Sequence, residues 1–549
     1  MRLIFPISFL IVLVVVGKVH AQDQQPYPLS NATYSEFEGL LHQAGEQFHT
    51  AVRPYRIKEL NESIPFDSLR LVRYYKGKFW RTLVGRKIAI ESLINVDSSK
   101  FQVYFDPVFH MDLGWDVAGH ERHALNTRGF TAKGSIGRKV SFYTAFWETQ
   151  ATYMPYLTAW IDSNQVIPGQ GRIKDFVFDN FFYSALGIKQ KGYDFLSASG
   201  LVSFTPTPNF NVQIGNDKHF IGEGYRSLLL SDAAFSYPFL KLTTKYRGFQ
   251  YVHLLTQLQD NQIPVLFESG FKKKWATFHY LSVNIGKRVQ FGLFEGIIFK
   301  GTDANGNTRF DWNYINPLMM IRPIQFAIQE SENNVLVGLN LKVVPFSGAA
   351  FYGQFVFDDL NFSKLGKAGY LEQKLAWQIG FKAFDLMNVK NLSLQLEYNA
   401  VRPYTYADAV PIQSYMHMSQ PLGHPLGANF HEFMGMIGYR YKDLRLEFRT
   451  TYAIVGRDSI GLSYGNDTYR SDVDAVNGQT SSGNSIGQGL KTILTYQNLE
   501  ASYVINRASN FTIRLGVMHR YSSNSLASER NLMFYFGIRS DLRNLYHDF

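Results

Sequence analysis

From Phe101 onward, apolar and polar side chains alternate in runs separated by turn-forming residues. In one run Leu392, Leu394, Leu396 and Tyr398 alternate with Ser393, Gln395 and Glu397; in another, Leu444, Leu446 and Phe448 alternate with Arg445, Glu447 and Arg449. The same period recurs where Val335, Val337, Leu339, Leu341 and Val343 face Gly338, Asn340 and Lys342, and again through Phe511, Ile513, Leu515 and Val517. Successive side chains of a strand point to opposite faces, so each run predicts a strand with one apolar and one polar face. A soluble β-sandwich also has half-polar strands. The number and length of the runs favour a membrane, because a tilted membrane strand needs about nine to eleven residues. Arg445, Glu447 and Arg449 cannot face lipid, where a mid-depth charge costs about 2–4 kcal/mol, so they are expected to line a wet lumen.

Short turns join some of these runs. Ile136–Val140 and its near copy Ile285–Val289 each enclose a glycine between apolar alternations, which predicts tight hairpins. Longer polar stretches, Gly301–Arg309 and the Ser/Gly/Asn-rich Gly456–Gly489, read as exposed loops. Short turns belong on the periplasmic side of such a barrel and long loops on the outside. Spacing predicts roughly 16–18 strands in an all-β, antiparallel, outer-membrane barrel over residues 101–549. At the end, Leu532, Phe534, Phe536 and Ile538 share one face. Arg539, Ser540 and Asp541 then predict that the last strand stops before Phe549.

The first hundred residues have another texture. Arg2, the apolar run Leu3–Gly17 and a small-residue exit at Ala21 predict a signal peptide over residues 1–21, with a mature start at Gln22. Residues 22–100 form a small, partly helical region, periplasmic or lumen-filling. Within it Phe37, Leu40, Leu41, Ala44 and Phe48 fall at helical intervals, predicting one amphipathic helix over Ser35–Val52 that Pro54 ends. Leu69, Leu71, Tyr74 and Tyr75 suggest a second short element.

Composition sharpens this picture. Aromatic residues make up 15% of the chain while hydrophobic residues stay at 45%, which suits a barrel ringed by aromatics and polar within. The absence of cysteine excludes disulfides, thiolate metal sites, cysteine nucleophiles and a lipoprotein anchor. Removal of Arg2 and Lys18 with the leader lowers the net charge from +10 to +8, a weak bias toward anionic polymers or lipid head groups. Basic residues are dispersed and no binding module accompanies them, so nucleic acid is not an expected partner.

The densest polar cluster of the barrel region is Asp217, Lys218, His219, Glu223 and Arg226, around Gly222 and Gly224. Carboxylates beside an imidazole are parts for acid–base chemistry, but no strand-to-helix context marks a nucleophile. The cluster reads as a hydrogen-bond network facing the lumen or as a polysaccharide contact, with no catalytic residue, cofactor or metal expected. Neither His110, His120 and His123 nor His417, His424 and His431 has the spacing of a zinc motif, and Pro421 and Pro425 prevent one helix from stacking the second set.

Residues 215–242, GNDKHFIGEGYRSLLLSDAAFSYPFLKL, resemble the glycine-containing segment of the capsule assembly Wzi family. FGLFEGIIF followed by YINPL, and the block from Arg402 to Phe433, resemble its Bacteroidetes branch. The resemblance implies an outer-membrane barrel with a helical region near the lumen and a lectin-like role in holding surface polysaccharide. Gly222-Glu223-Gly224 stands where some members have a Gly-Pro-Gly-like turn, so no sugar-contact residue carries over. The expected function is a noncatalytic barrel that anchors or organises capsule or exopolysaccharide, with surface polysaccharide and outer-membrane lipids as partners. Related barrels in gliding bacteria imply an alternative: a component of motility or secretion machinery that binds proteins.

Overall fold

The computed structural model describes residues 25–549 except 44, 46, 71–77, 99, 178–182, 184–186, 189–190, 262–270, 302–309, 311, 318–332, 361–369, 372, 460 and 475–481. The signal peptide, Leu71, Tyr74, Tyr75 and most of the Gly301–Arg309 loop lie outside the described residues.

Eighteen antiparallel strands close into one barrel. They are β1 (Phe101–Asp116), β2 (Glu121–Ile136), β3 (Val140–Ala151), β4 (Lys191–Thr207), β5 (Phe210–Asp217) and β6 (Tyr237–Tyr246). The next six are β7 (Phe249–Asp260), β8 (Lys272–Ile285), β9 (Val289–Lys300), β10 (Asn334–Phe346), β11 (Ala349–Leu360) and β12 (Gln373–Phe384). The last are β13 (Leu392–Val401), β14 (Phe430–Tyr441), β15 (Leu444–Arg457), β16 (Leu490–Asn506), β17 (Phe511–Ser523) and β18 (Ser528–Ser540). Closure comes from β18 pairing with β1, with Phe534 opposite Trp115. All the alternating runs read in the sequence are among these strands. Closure leaves no open sheet edge, the condition a β-structure must meet in lipid.

The two expected hairpins form at Gly137 and Gly286, whose φ values of +59° and +64° suit the two tight turns. Leu446 and Phe448 are each 38% exposed on the outer wall, while Arg445 and Arg449 turn inward to Glu36 and Asp548. Alternation therefore separates an apolar belt from a charged lining, as the pattern requires. With the short turns inside the cell envelope, the chain is an outer-membrane β-barrel.

Among the described residues the expected single helix over Ser35–Val52 is replaced by one turn, α2 (Glu38–Leu41), which follows another one-turn helix just before that span, α1 (Asn31–Tyr34). Gly45 has φ +101°, outside helical space, and Phe37, Leu41 and Phe48 are buried in a compact cluster with Tyr27, Tyr34, Tyr55 and Phe66. Tyr27 and Phe66 meet edge-on at 5.2 Å. The apolar spacing reflects burial rather than one helical face. Beyond this cluster a short strand, Ile94–Asp97, pairs with the start of β1.

This N-terminal segment contacts the inner wall near the short turns. Asn284 donates to the Gln47 carbonyl at 2.7 Å, Lys342 donates to Thr50 Oγ1 at 2.6 Å, and Glu38 pairs with Lys382. From the opposite end, the connections 218–236 and 402–429 fold down into the lumen. The chain after β18 also turns inward: Tyr156 donates to the His547 carbonyl at 2.6 Å, and Trp160 meets Phe549 edge-on at 5.8 Å. The last strand does stop early, at Ser540.

Candidate functional site

The connection 218–236 holds four of the five residues singled out in the sequence, and its apolar content explains why it turns inward. Leu228, Leu229 and Leu230 are fully buried with Leu422, Tyr406 and Tyr415 of the connection 402–429. Tyr406 donates to the Leu228 carbonyl at 2.8 Å and Tyr415 to the Leu229 carbonyl at 2.5 Å. Burying three leucines stabilises the inward loop by roughly 1.5–3 kcal/mol each. The tyrosine hydroxyls satisfy carbonyls that would otherwise lose water. Phe220–Ile221 adds a two-residue antiparallel pairing with Val52–Arg53, so segments entering from opposite ends meet inside the lumen.

The five polar residues do not converge on one point. Arg226 has both neighbours charged: its Nη2 lies 3.1 Å from Glu432 Oε1 and 3.1 Å from Asp548 Oδ1. Glu223 belongs to the N-terminal segment instead. Thr50 donates to it at 2.7 Å and His42 Nε2 lies 3.8 Å away. Burial raises the Glu223 pKa, but Lys342 and His42 outweigh it and hold the carboxyl well below the usual range. Lys218 donates to the carbonyls of Gly169 and Asp232 at 2.7 and 2.9 Å, and burial pushes its pKa down to about 8. Asp217, the last residue of β5, accepts from the Lys218 backbone at 2.9 Å. His219 sits edge-on to Phe239 at 4.5 Å, its Nδ1 without a hydrogen bond, and burial drives its pKa down.

Two glutamates from outside the Asp217–Arg226 cluster organise the centre. Glu397 of β13 accepts from the backbone N–H groups of Tyr225 and Arg226 at 2.9 and 3.2 Å and from the Tyr352 hydroxyl at 2.9 Å. Glu432 of β14 accepts from Asn399 at 2.9 Å and lies 2.7 Å from His424 Nε2. Gly224 permits this approach, since a Cβ there would stand 2.3 Å from Glu397 Oε2. In the sequence Glu397 shows only as a polar position on an alternating strand, and Glu432 only as one residue of the Arg402–Phe433 block. Strand pairing brings them to a loop about two hundred residues away.

His110 of β1 and His123 of β2 lie on the inner wall. Arg514 Nη2 is 2.9 Å from His110 Nε2, and Asp112 Oδ2 is 2.6 Å from the same nitrogen. His120 occupies the turn after β1 with φ +55°. Among the described residues no group of three His, Asp or Glu side chains has metal-binding geometry. One cavity of about 230 Å³ lies between the tail after β18 and the wall formed by β1, β2 and β15–β18. Its lining includes His123, Tyr225, Glu447, Glu500 and Tyr535.

The sequence matches no protein-family profile and no curated protein. Among solved structures, Wzi of Escherichia coli aligns over 94% of this chain and 100% of its own, with a TM-score of 0.54 and 12% identity. It is described as an outer-membrane protein involved in group 1 capsule assembly and a carbohydrate-binding β-barrel. The two chains share a fold. OprD of Pseudomonas aeruginosa aligns over 81% of this chain and 96% of its own, at TM-score 0.42 and 11% identity. OccAB2 of Acinetobacter baumannii aligns over 79% and 97%, at 0.39 and 10%.

Proposed function

We propose that this chain is a noncatalytic outer-membrane barrel that anchors or organises capsular or exopolysaccharide at the cell surface. The observation that carries this reading is the filled lumen. Segments from the N-terminal region, two outer connections and the tail meet at Arg226, Glu223 and the Leu228–Leu230 core, and bury one another. A general diffusion pore needs an open aqueous lumen. Apart from the cavity beside the tail, this barrel is packed through its centre with apolar side chains and paired charges and makes a rigid platform, on which outer loops are held in fixed positions for binding. The fold shared with a carbohydrate-binding barrel makes surface glycan the partner that fits this platform.

In this reading Asp217, Lys218, His219, Glu223 and Arg226 act from beneath. Their side chains tie the inward connection to the wall, the N-terminal segment and the tail, so their contribution to glycan binding passes through the shape of the outer mouth. Affinity capture of the tagged chain from gently solubilised outer membrane, analysed for glycans and proteins, tests the function. Co-purifying polysaccharide, with loss of surface glycan from cells lacking the chain, is the expected result. Stoichiometric motility or secretion proteins without glycan would replace this reading with the protein-partner alternative.

A further inference from the structure

The cavity between the tail and the wall is lined by carboxylates Asp112, Glu447, Glu500 and Asp541 and by guanidiniums Arg449, Arg514 and Arg539. Most of these are paired. Arg514 pairs with Asp112 and with Glu500, Arg539 with Asp541, and Arg449 with Asp548. Glu447 is the exception, with no hydrogen bond or ion pair among the described residues. It stands directly opposite Glu500 in the β15–β16 register. Like charges directly opposite on one sheet face repel, and a carboxylate withdrawn from bulk water demands a counter-charge. With four carboxylates to three guanidiniums in the lining, one negative charge is left over, and Glu447, with Arg445 and Arg449 two positions to either side of it, is the carboxylate that no guanidinium pairs among the described residues.

A second observation points to a ligand at the same place. His123 is only 5% exposed and lines the cavity, yet neither ring nitrogen has a hydrogen bond among the described residues; the Glu121 carboxylate is 3.7 Å away. His547 Nε2, also lining the cavity, has no hydrogen bond among the described residues. Tyr225, Tyr496 and Tyr535 supply aromatic surface. Aromatic surface with a few converging polar groups is the composition of a small-molecule site, and about 230 Å³ lies below the roughly 300–1,000 Å³ of drug-sized pockets. The lining runs from Asn31 and Asp541, near the periplasmic turns, to His123 and Thr152, near the outer rim.

We infer that this cavity is a binding site for one small hydroxylated unit carrying an ammonium group, an amino sugar, with Glu447 receiving the ammonium. The choice of a sugar rests on the glycan reading above; the ammonium rests on the charge of the lining alone. Glu447 pairs with the cation, the tyrosines cover the ring faces, and His123 and His547 exchange hydrogen bonds with hydroxyls.

The test uses the full chain in detergent, with D-glucosamine, N-acetyl-D-glucosamine and D-glucose as probes in saturation-transfer NMR. Glucosamine is expected to bind saturably and at least tenfold more tightly than the two uncharged sugars. Glu447→Gln is expected to erase that advantage and Glu447→Asp to keep part of it. Equal binding of all three sugars, or an advantage that survives Glu447→Gln, overturns the assignment. The chain has no cysteine, so Met533→Cys places a single thiol on the cavity wall. Its alkylation should slow with glucosamine and not with glucose, and this readout decides the matter even where the Glu447 variants fail to fold. Absence of protection also overturns the assignment. If glucosamine fails in both assays while captured chain still carries polysaccharide, the cavity assignment falls and the anchoring function stands. If glucosamine binds and no polysaccharide is captured, the anchoring function falls and the amine site stands.

Discussion

Arg226 and Asp548 meet at 3.1 Å inside the lumen, joining the connection after β5 to the tail that follows the last strand. Both side chains are fully buried, and Glu432 completes the triad at 3.1 Å from the same guanidinium nitrogen. Removing one partner of a buried pair leaves the others uncompensated, at a cost of about 3–5 kcal/mol. Arg226→Ala should therefore lower the temperature at which the barrel loses its heat-modifiable gel mobility, and reduce its outer-membrane abundance. An unchanged transition would show that the triad does not hold the tail.

Gly224 and Gly222 should differ in tolerance. A Cβ at Gly224 would stand 2.3 Å from Glu397 Oε2 and 2.7 Å from the Arg226 carbonyl, whereas at Gly222 its nearest atom is the amide end of Gln354 at 2.6 Å. The Gln354 amide is itself held, by the Leu228 N–H and the Ile221 carbonyl, so Gly222→Ala has a cost too, but Gly224 adds a clash with backbone, the Arg226 carbonyl, beside a Glu397 held by two backbone N–H groups. Gly224→Ala is expected to destabilise by about 1–3 kcal/mol, more than Gly222→Ala. Thermal unfolding followed by circular dichroism compares them, and equal midpoints would contradict the packing described.

Acid should loosen the N-terminal segment before the barrel opens. Burial raises the Glu38 pKa, but Lys382, Arg53 and His42 outweigh it and bring it down from 4.5 to about 2. A carboxylate with a depressed folded pKa contributes stability above its unfolded value and loses it as pH falls, here between about 4.5 and 2. Burial, with Lys245 and Lys342, lowers His49 from 6.5 to about 3. The unfolded segment then takes up this proton first, so destabilisation begins below about pH 6.5 and grows toward 3. Limited proteolysis at stepped pH should release residues 25–66 progressively over this range while the strands stay protected. Simultaneous loss of both would refute separate anchoring.

Strand orientation gives a fourth expectation. Leu446 faces lipid and Glu447 faces the cavity. Labels on cysteines placed at these positions should be quenched by lipid-confined quenchers at 446 and spared at 447. The reverse order would invert the face assignment of β15.

The period of two carried most of the fold, because a strand's alternation is local and the cost of charge in lipid decides which set faces inward. The lipid-facing Leu446 and lumen-facing Arg445 were legible in the sequence for that reason, as were the Gly137 and Gly286 hairpins. The same local reasoning failed at Phe37, Leu41 and Phe48, whose helical spacing serves an aromatic cluster broken at Gly45. It also grouped Glu223 with Arg226 because they are neighbours in sequence. Only the closed barrel decides that Glu223 meets Thr50, that Arg226 meets Glu432 and Asp548, and that Glu447 stands opposite Glu500. Those pairings span up to several hundred residues, and their distances follow from strand register and lumen packing, which no local pattern encodes.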